Sequence, residues 1–119
     1  MSQLIFKETV TDLKIKGIKF GVFVTIKIEE DDLPFDGDFE EDIARHKSGE
    51  LFMANISVVA EAFGIEGYTV LGGCSLRTNK MYIANDVNTL VEEHELVEEA
   101  LSELKNNIKE KAKQLKKFE

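Results

Sequence analysis

The sequence predicts an α+β fold, with an antiparallel sheet of about four strands, one short helix and a long C-terminal helix. Three observations predict it: two stretches of alternating apolar and polar residues, turn residues that bound them, and a final stretch of helical spacing without Gly or Pro. With 119 residues, the chain is close to the commonest size of one domain. We therefore expect a single domain over residues 1–119, with residues 105–119 projecting as a helical extension.

The first strands are predicted from period-two alternation. Every even position from Ile18 to Ile28 is apolar, whereas the odd positions are mostly polar or small, with Phe23 as the exception. This period is typical of a strand with one buried face. Residues 4–15 are predicted as an earlier strand, with Gly17 as the break that resets the phase.

An acidic segment over residues 29–42 follows, with nine carboxylates in fourteen residues and no basic residue. Pro34 favours a loop at its centre. Asp38 is the predicted N-cap of a short helix over residues 39–47, and Gly49 is the predicted C-terminal stop.

A hairpin is predicted next. Alternating apolar residues from Phe52 to Ala62 form its first strand, residues 64–67 form the turn, and residues 68–76 return. Gly72 and Gly73 inside the return strand indicate a bulge or a close backbone approach.

The C-terminal stretch, residues 86–117, carries a heptad-like stripe. The stripe consists of Val87, Leu90, His94, Val97, Leu101, Leu104, Ile108, Lys111, Leu115 and Phe118. A continuous helix of this length would measure about 45–50 Å, so it is either broken or extends beyond the sheet. Its first half is acidic and its second half is rich in lysine, which complements the helix dipole and also suits antiparallel pairing of two copies.

The composition excludes several classes of protein. The net charge is −8, and a nucleic-acid-binding protein normally shows the opposite balance, so we expect no direct contact with nucleic acid. The apolar runs are far shorter than the ~20 residues that span a bilayer, which predicts no membrane association. A single cysteine, Cys74, and the lack of a recognisable secretion signal predict a cytoplasmic protein.

No motif predicts catalysis, a cofactor or a metal ion. Asp32, Asp36 and Asp38 do not have the spacing of a calcium-binding loop. A nucleophilic Cys74 would need a neighbouring base, and the sequence ties neither His46 nor His94 to it. We therefore predict a protein that is not an enzyme.

Two segments are the candidate partner-binding sites, the acidic segment and the last half of the C-terminal helix. The residues concerned are Asp31, Asp32, Asp36, Asp38, Glu40, Glu41, Leu104, Ile108, Lys111 and Leu115. Dense carboxylates steer an acidic protein towards basic surfaces on other proteins, and an apolar stripe beyond the sheet needs cover.

From Val22 onward, the order of features resembles a loose group of short accessory proteins of unknown function that phages, prophages and plasmids encode. The matching features are a strand running into an acidic loop over residues 24–34, the start Gly49-Glu50-Leu51-Phe52, the Leu71–Leu76 stretch and a Glu-rich C-terminal helix. The chain lacks the tryptophans and the acidic stretch usual after the Leu-Gly step of that group. The resemblance implies an accessory protein of a mobile element, a setting in which small acidic proteins often bind and block host proteins such as defence nucleases.

The sequence thus predicts a non-enzymatic binding protein that inhibits or modulates a host protein through acidic surfaces. One alternative is a structural or regulatory homodimer paired through its C-terminal helix. Another is a small-ligand-binding protein with a polar pocket built from residues 72–77 and the Arg77-Thr78-Asn79 turn.

Overall fold

A computed structural model describes residues 3–30 and 40–117 and shows two layers, an antiparallel four-stranded sheet and two helices packed on one of its faces. The elements are β1 (Gln3–Ile15), β2 (Ile18–Glu30), α1 (Glu40–Lys47), β3 (Leu51–Ala62), β4 (Ile65–Arg77), α2 (Lys80–Glu93) and α3 (Leu96–Lys116). The strands form a meander in the order β1-β2-β3-β4. The predicted α+β class and the antiparallel sheet are confirmed.

The alternation in β2 is the pattern that places the core. Val22, Val24, Ile26 and Ile28 are buried beneath the helices, as their even positions predicted. Ile18 has the same parity but is exposed, because β3 pairs only with residues 23–30 of β2. The β1–β2 hairpin therefore extends beyond β3, and the turn at Lys16 and Gly17 ends it.

The β3–β4 hairpin turns earlier than the sequence predicted. Ala62 pairs with Ile65, so the turn is Phe63–Gly64, where both residues have positive φ. Two-residue turns of this kind match the twist of paired strands. Gly67 lies inside β4 rather than in the turn.

Gly72 and Gly73 form the predicted bulge. Ala54 pairs with Cys74 and Ile56 with Leu71, so Asn55 alone faces two residues of β4. Gly73 adopts φ +67°, and its N–H donates to the Asn55 side chain at 3.3 Å.

The helical C-terminal stretch consists of two helices. Glu95 adopts a left-handed conformation with φ 50° and separates α2 from α3, although no Gly or Pro marks the break. The break lets both helices lie on the sheet, so the predicted long helix is broken, and residues 111–117 at the end of the second helix are all exposed.

The helix α3 crosses the sheet at Gly67. Val97 lies beside Thr9 and Ile26, whereas Leu104 lies against Gly67 of β4. A Cβ atom at position 67 would stand 2.2 Å from the backbone nitrogen of Leu104, so only glycine permits this approach.

The short helix α1 ends at Gly49 as predicted. The N–H of Gly49 donates to the carbonyl of His46, and the N–H of Glu50 donates to the carbonyl of Arg45. With Gly49 at φ +83°, these two bonds form a Schellman motif. The chain is then directed into β3.

Candidate interaction surface

The predicted partner-binding residues of the last helix are partly buried in the core and partly exposed to solvent. Leu104 is 0% exposed and Ile108 packs on the core edge, whereas Lys111 and Leu115 are exposed. Leu104 was expected to bind a partner, and this expectation is corrected because its side chain is covered by the chain's own sheet. Beyond Ile108, Leu115 is the one large apolar residue of α3 among the described residues, so a helix-pairing seam has little apolar surface left.

The acidic part of the prediction lies mostly outside the described residues. Asp31, Asp32, Asp36 and Asp38 and the side chain of Glu41 belong to that part, while Glu40 is exposed at the first position of α1. Glu29 and Glu30 close β2, so the acidic segment leaves the sheet at this end of the strand.

The sheet face opposite α2 and α3 carries a band of large apolar side chains. We call Val10, Phe23, Val59, Tyr68 and Val70 the open face. Val10 pairs with Phe23 and Val59 with Tyr68, and Phe23 lies diagonally from Val59, so the band crosses all four strands. Phe23 is 62% exposed and Tyr68 is 56% exposed. Such a contiguous exposed band is typical of an interaction surface.

Two glutamates continue the same row of the sheet. Phe23 pairs with Glu61, and Glu61 pairs directly with Glu66. Like charges on directly opposite strand positions destabilise a sheet. In the described part of the chain, the ion pairs are Asp12–Lys19, Arg45–Glu50 and Arg77–Asp86, so no cation there neutralises either glutamate.

The open face is not among the surfaces predicted from the sequence. Its one visible signal was Phe23, the large apolar residue on the polar side of an otherwise regular alternation. Tyr68 and Val70 alternate with the buried Gly67 and Thr69, and the small size of those inward residues hid this second signal.

A polar pocket does exist near Arg77. A cavity of about 510 Å³ lies between α1, the end of β4 and α2, and Arg45, Ser75, Arg77 and Asp86 contribute to its lining. The Nε of Arg77 donates to Asp86 at 2.9 Å, Nη2 donates to the other carboxylate oxygen, and the guanidinium stacks on Tyr82 at 4.3 Å. The charge of Arg77 is therefore already compensated within the chain.

This pairing shifts both ionisable groups. The hydrogen bonds from Arg77 hold the pKa of Asp86 below its ordinary value, and the same bonds raise the pKa of Arg77. Arg45 lies close enough to lower the pKa of Asp86 further. Both pKa shifts favour the charged forms. The pair is therefore a hydrogen-bonded ion pair that joins β4 to α2.

Cys74 lies in the core rather than in a reactive setting. Its thiol donates to the carbonyl of Leu71 at 3.4 Å, and burial raises the pKa of the thiol. The Nε2 of His46 contacts the hydroxyl of the neighbouring Ser75, which is exposed, at 3.0 Å. A protonated, buried thiol is a poor nucleophile.

Across residues 3–30 and 40–117, no group of three or more His, Cys, Asp or Glu side chains is arranged to hold a metal ion. Within the same residues, no helix is both long enough and apolar enough to cross a membrane. Comparison with models of protein families, with curated proteins and with solved structures finds no match to the chain.

Proposed function

We propose that this chain is a non-enzymatic protein-binding domain whose open face docks a different protein with a basic, partly apolar surface. The observation that supports it best is the row Val10, Phe23, Glu61 and Glu66, in which two exposed apolar side chains continue into two opposed carboxylates.

The apolar half of the row supplies a driving force for docking. Removing apolar surface from water contributes about 25 cal/mol per Å², so covering Phe23 and Tyr68 alone is worth a few kcal/mol. Aromatic residues are also the usual anchors of protein interfaces. A partner therefore gains most at the centre of the open face.

The two glutamates of the row favour a partner whose surface is positively charged. A lysine or arginine placed between Glu61 and Glu66 would remove their repulsion, whereas a second acidic surface would increase it. The chain's net charge of −8 works in the same direction and disfavours a second copy on this face. Glu29 lies on the same side of β2 as Phe23 and adds a further carboxylate to that side of the sheet.

The sequence resemblance to mobile-element accessory proteins supplies a setting for this contact. In that setting, the partner is a host protein, such as a defence nuclease, and the acidic domain blocks its basic surface. The proposed mode of inhibition is occupancy of the partner's surface, with no chemical step.

The test is affinity capture of a partner from host lysate by the full chain and by matched variants. The wild-type chain should capture a basic protein that high salt releases, because exposed charge pairs are screened. Phe23→Ser and Glu66→Lys should each weaken capture at least tenfold. Glu66→Lys should also stabilise the free chain by about 0.5 kcal/mol, because it converts a repulsive cross-strand pair into an attractive one.

The control is Glu93→Lys, which makes the same change of charge as Glu66→Lys at an exposed position of α2. This variant should capture the partner as the wild-type chain does. Capture that survives both open-face variants, or that Glu93→Lys removes equally, contradicts the proposal.

A further inference from the structure

The outer edge of β1 is a second feature that the fold leaves open. This strand stands at one end of the sheet order, and among residues 3–30 and 40–117 it pairs with β2 alone. Lys7, Glu8, Thr9 and Val10 are consecutive and all exposed, so both faces of the strand are in water beside this edge. An edge strand of this kind offers N–H and C=O groups with which another strand can pair.

A bulge near the start of β1 sets the length of the regular edge. Ile5 pairs with Lys27 and Lys7 with Ile26, so Phe6 is an extra residue of β1. From position 7 to position 15 the register with β2 has no further shift, and we call residues 7–15 the β1 edge. Such a strand is about 30 Å long, and two of them in antiparallel pairing exchange about eight to ten backbone hydrogen bonds.

The charges of the β1 edge suit a second copy of the same chain. The edge carries equal numbers of basic and acidic residues, namely Lys7, Lys14, Glu8 and Asp12. A chain with a net charge of −8 thus presents a neutral strand here, which limits the repulsion between two copies. An antiparallel pair of identical strands also satisfies the two-fold symmetry of an ordinary homodimer.

The positions of the charges select one register. In a sheet that continues across a two-fold axis, directly opposite residues lie on the same face, so their numbers add to an even sum. A centre at Thr11 pairs the whole β1 edge and places Glu8 of each copy opposite Lys14 of the other. A centre at Val10 would oppose Glu8 and Asp12 twice, and a centre at Asp12 would oppose two aspartates, both of which destabilise a sheet. Larger shifts pair at most about half of the edge.

The neighbours of Glu8 and Lys14 within the chain favour the same contact. Glu8 is opposite the uncharged Thr25, whereas Lys14 is opposite Lys19, a like charge. Lys19 forms its ion pair with Asp12 at 3.2 Å, and the ion pairs of the described residues include neither Glu8 nor Lys14. A second copy would supply each of these two residues with an opposite charge and would reduce the repulsion at Lys14.

We infer that two copies of this chain pair antiparallel through the β1 edge, with Thr11 at the two-fold axis, and form one eight-stranded sheet. The helices α2 and α3 of both copies lie on one face of this sheet, and both open faces lie on the other. The inference does not rest on the proposed function, because docking on the open face requires only one copy. A dimer would present two open faces side by side and would bind a partner with two basic sites more tightly.

The first experiment measures the mass of the full chain by light scattering and sedimentation. At about 50 µM, a dimer with a Kd of about 1 µM is mostly formed, so the wild-type mass should be about twice the chain mass of 13.4 kDa. Glu8→Lys and Lys14→Glu should each weaken the dimer at least tenfold, because each opposes like charges at two symmetric positions. The double variant with both substitutions should restore the dimer, since the opposite charges are then exchanged.

The matched control is Glu93→Lys, which makes the same change of charge at an exposed position of α2 and should remain dimeric. Circular dichroism should show that all these variants are folded. A single-chain mass for the wild-type protein overturns the inference, and so do single variants that stay dimeric or a double variant that stays monomeric. Dissociation by removal of residues 111–119 would instead place the contact on α3.

The second experiment tests the register by cross-linking. Thr11 faces its own copy at a Cα separation of about 4.5–5.5 Å, which a disulfide can bridge, whereas Thr9 lies about 14 Å from its copy. Mild oxidation should therefore link Thr11→Cys into a covalent dimer and leave Thr9→Cys unlinked. The native Cys74 is buried and does not compete. Linkage of Thr9→Cys without linkage of Thr11→Cys would overturn the proposed register.

Discussion

At the scale of single residues, the Arg77–Asp86 pair fixes the middle of α2 to the end of β4. Asp86 accepts from both the side chain and the backbone N–H of Arg77, the latter at 3.2 Å. A carboxylate with several donors is stabilised in its charged form. The two elements are therefore held together by the charge of the Asp86 carboxylate as well as by the shape of its side chain.

This pair predicts a pH-dependent loss of stability. Because folding lowers the pKa of Asp86, its contribution is fully present above the unfolded pKa, ordinarily about 3.9, and is lost as the pH falls through the lower folded value. Asp86→Asn should therefore lower the urea midpoint at pH 7, and the difference from the wild-type chain should shrink below about pH 4.

Asp12→Asn is the control, because the Asp12–Lys19 pair is exposed on both sides and should contribute little. An Asp86→Asn deficit that is as large at pH 3 as at pH 7 would show that the carboxylate's charge is not responsible.

At the scale of elements, the packing of α3 on the sheet depends on one position of β4. Ala100 and Leu104 are fully buried, and the backbone of α3 around them lies against Gly67. The side chain of Asn107 adds a 2.8 Å hydrogen bond to the carbonyl of Glu66. The helix thus touches the strand through backbone as well as side chains, and the fit leaves no room for a methyl group.

Gly67→Ala should destabilise the chain by about 3 kcal/mol or more, because the new Cβ would overlap the backbone of α3 and the helix would have to move off the sheet. Chemical denaturation measures the change. Gly21→Ala is the control, since its Cβ would meet only Val10 Cγ1 at 3.8 Å, and its free energy of unfolding should change by less than about 1 kcal/mol. Equal effects at both positions would contradict the close crossing.

At the scale of the whole molecule, the chain is long and narrow, with extents of 61 × 26 × 23 Å. The long β1–β2 hairpin exceeds the area that the two main helices cover, so the core occupies only part of the sheet. Ile18 and Phe63 at the end of this hairpin therefore remain exposed, whereas the open face is exposed because both helices pack on the other face of the sheet. The proposed docking surface, the open face, is one that the chain's own helices do not cover.

The exposure of the end of α3 predicts how much of this helix can be removed without loss of stability. Residues 111–117 are all exposed, so a chain ending at Glu110 should have a free energy of unfolding within about 0.5 kcal/mol of the full chain. A chain ending at Leu104 loses the Asn107 hydrogen bond and the packing of Ile108, and should be less stable by about 2 kcal/mol. Thermal unfolding distinguishes the two, and similar melting of both truncations would contradict the burial of this segment.

Local patterns predicted most elements because they depend on near neighbours. Alternation identified the buried residues of β2, and glycines marked the end of α1 and the bulge at Gly72–Gly73. The left-handed break at Glu95 had no local signal, since the apolar spacing continues through it and no Gly or Pro occurs there. With the break at Glu95, both helices contribute to the core on one sheet face, a contact that depends on residues distant in the sequence.

The sequence by itself determined the fold class, the strand faces and the acidic character of the chain, because periodicity and charge are properties of the residues themselves. Tertiary structure alone decided that Leu104 belongs to the core, that Gly67 accommodates α3, and that Phe23 and Phe63 remain exposed. Which face of a sheet receives the helices, and how far their cover reaches, depends on contacts between residues distant in the sequence. The long helical stretch predicted over residues 86–117 therefore serves mainly to cover one face of the sheet.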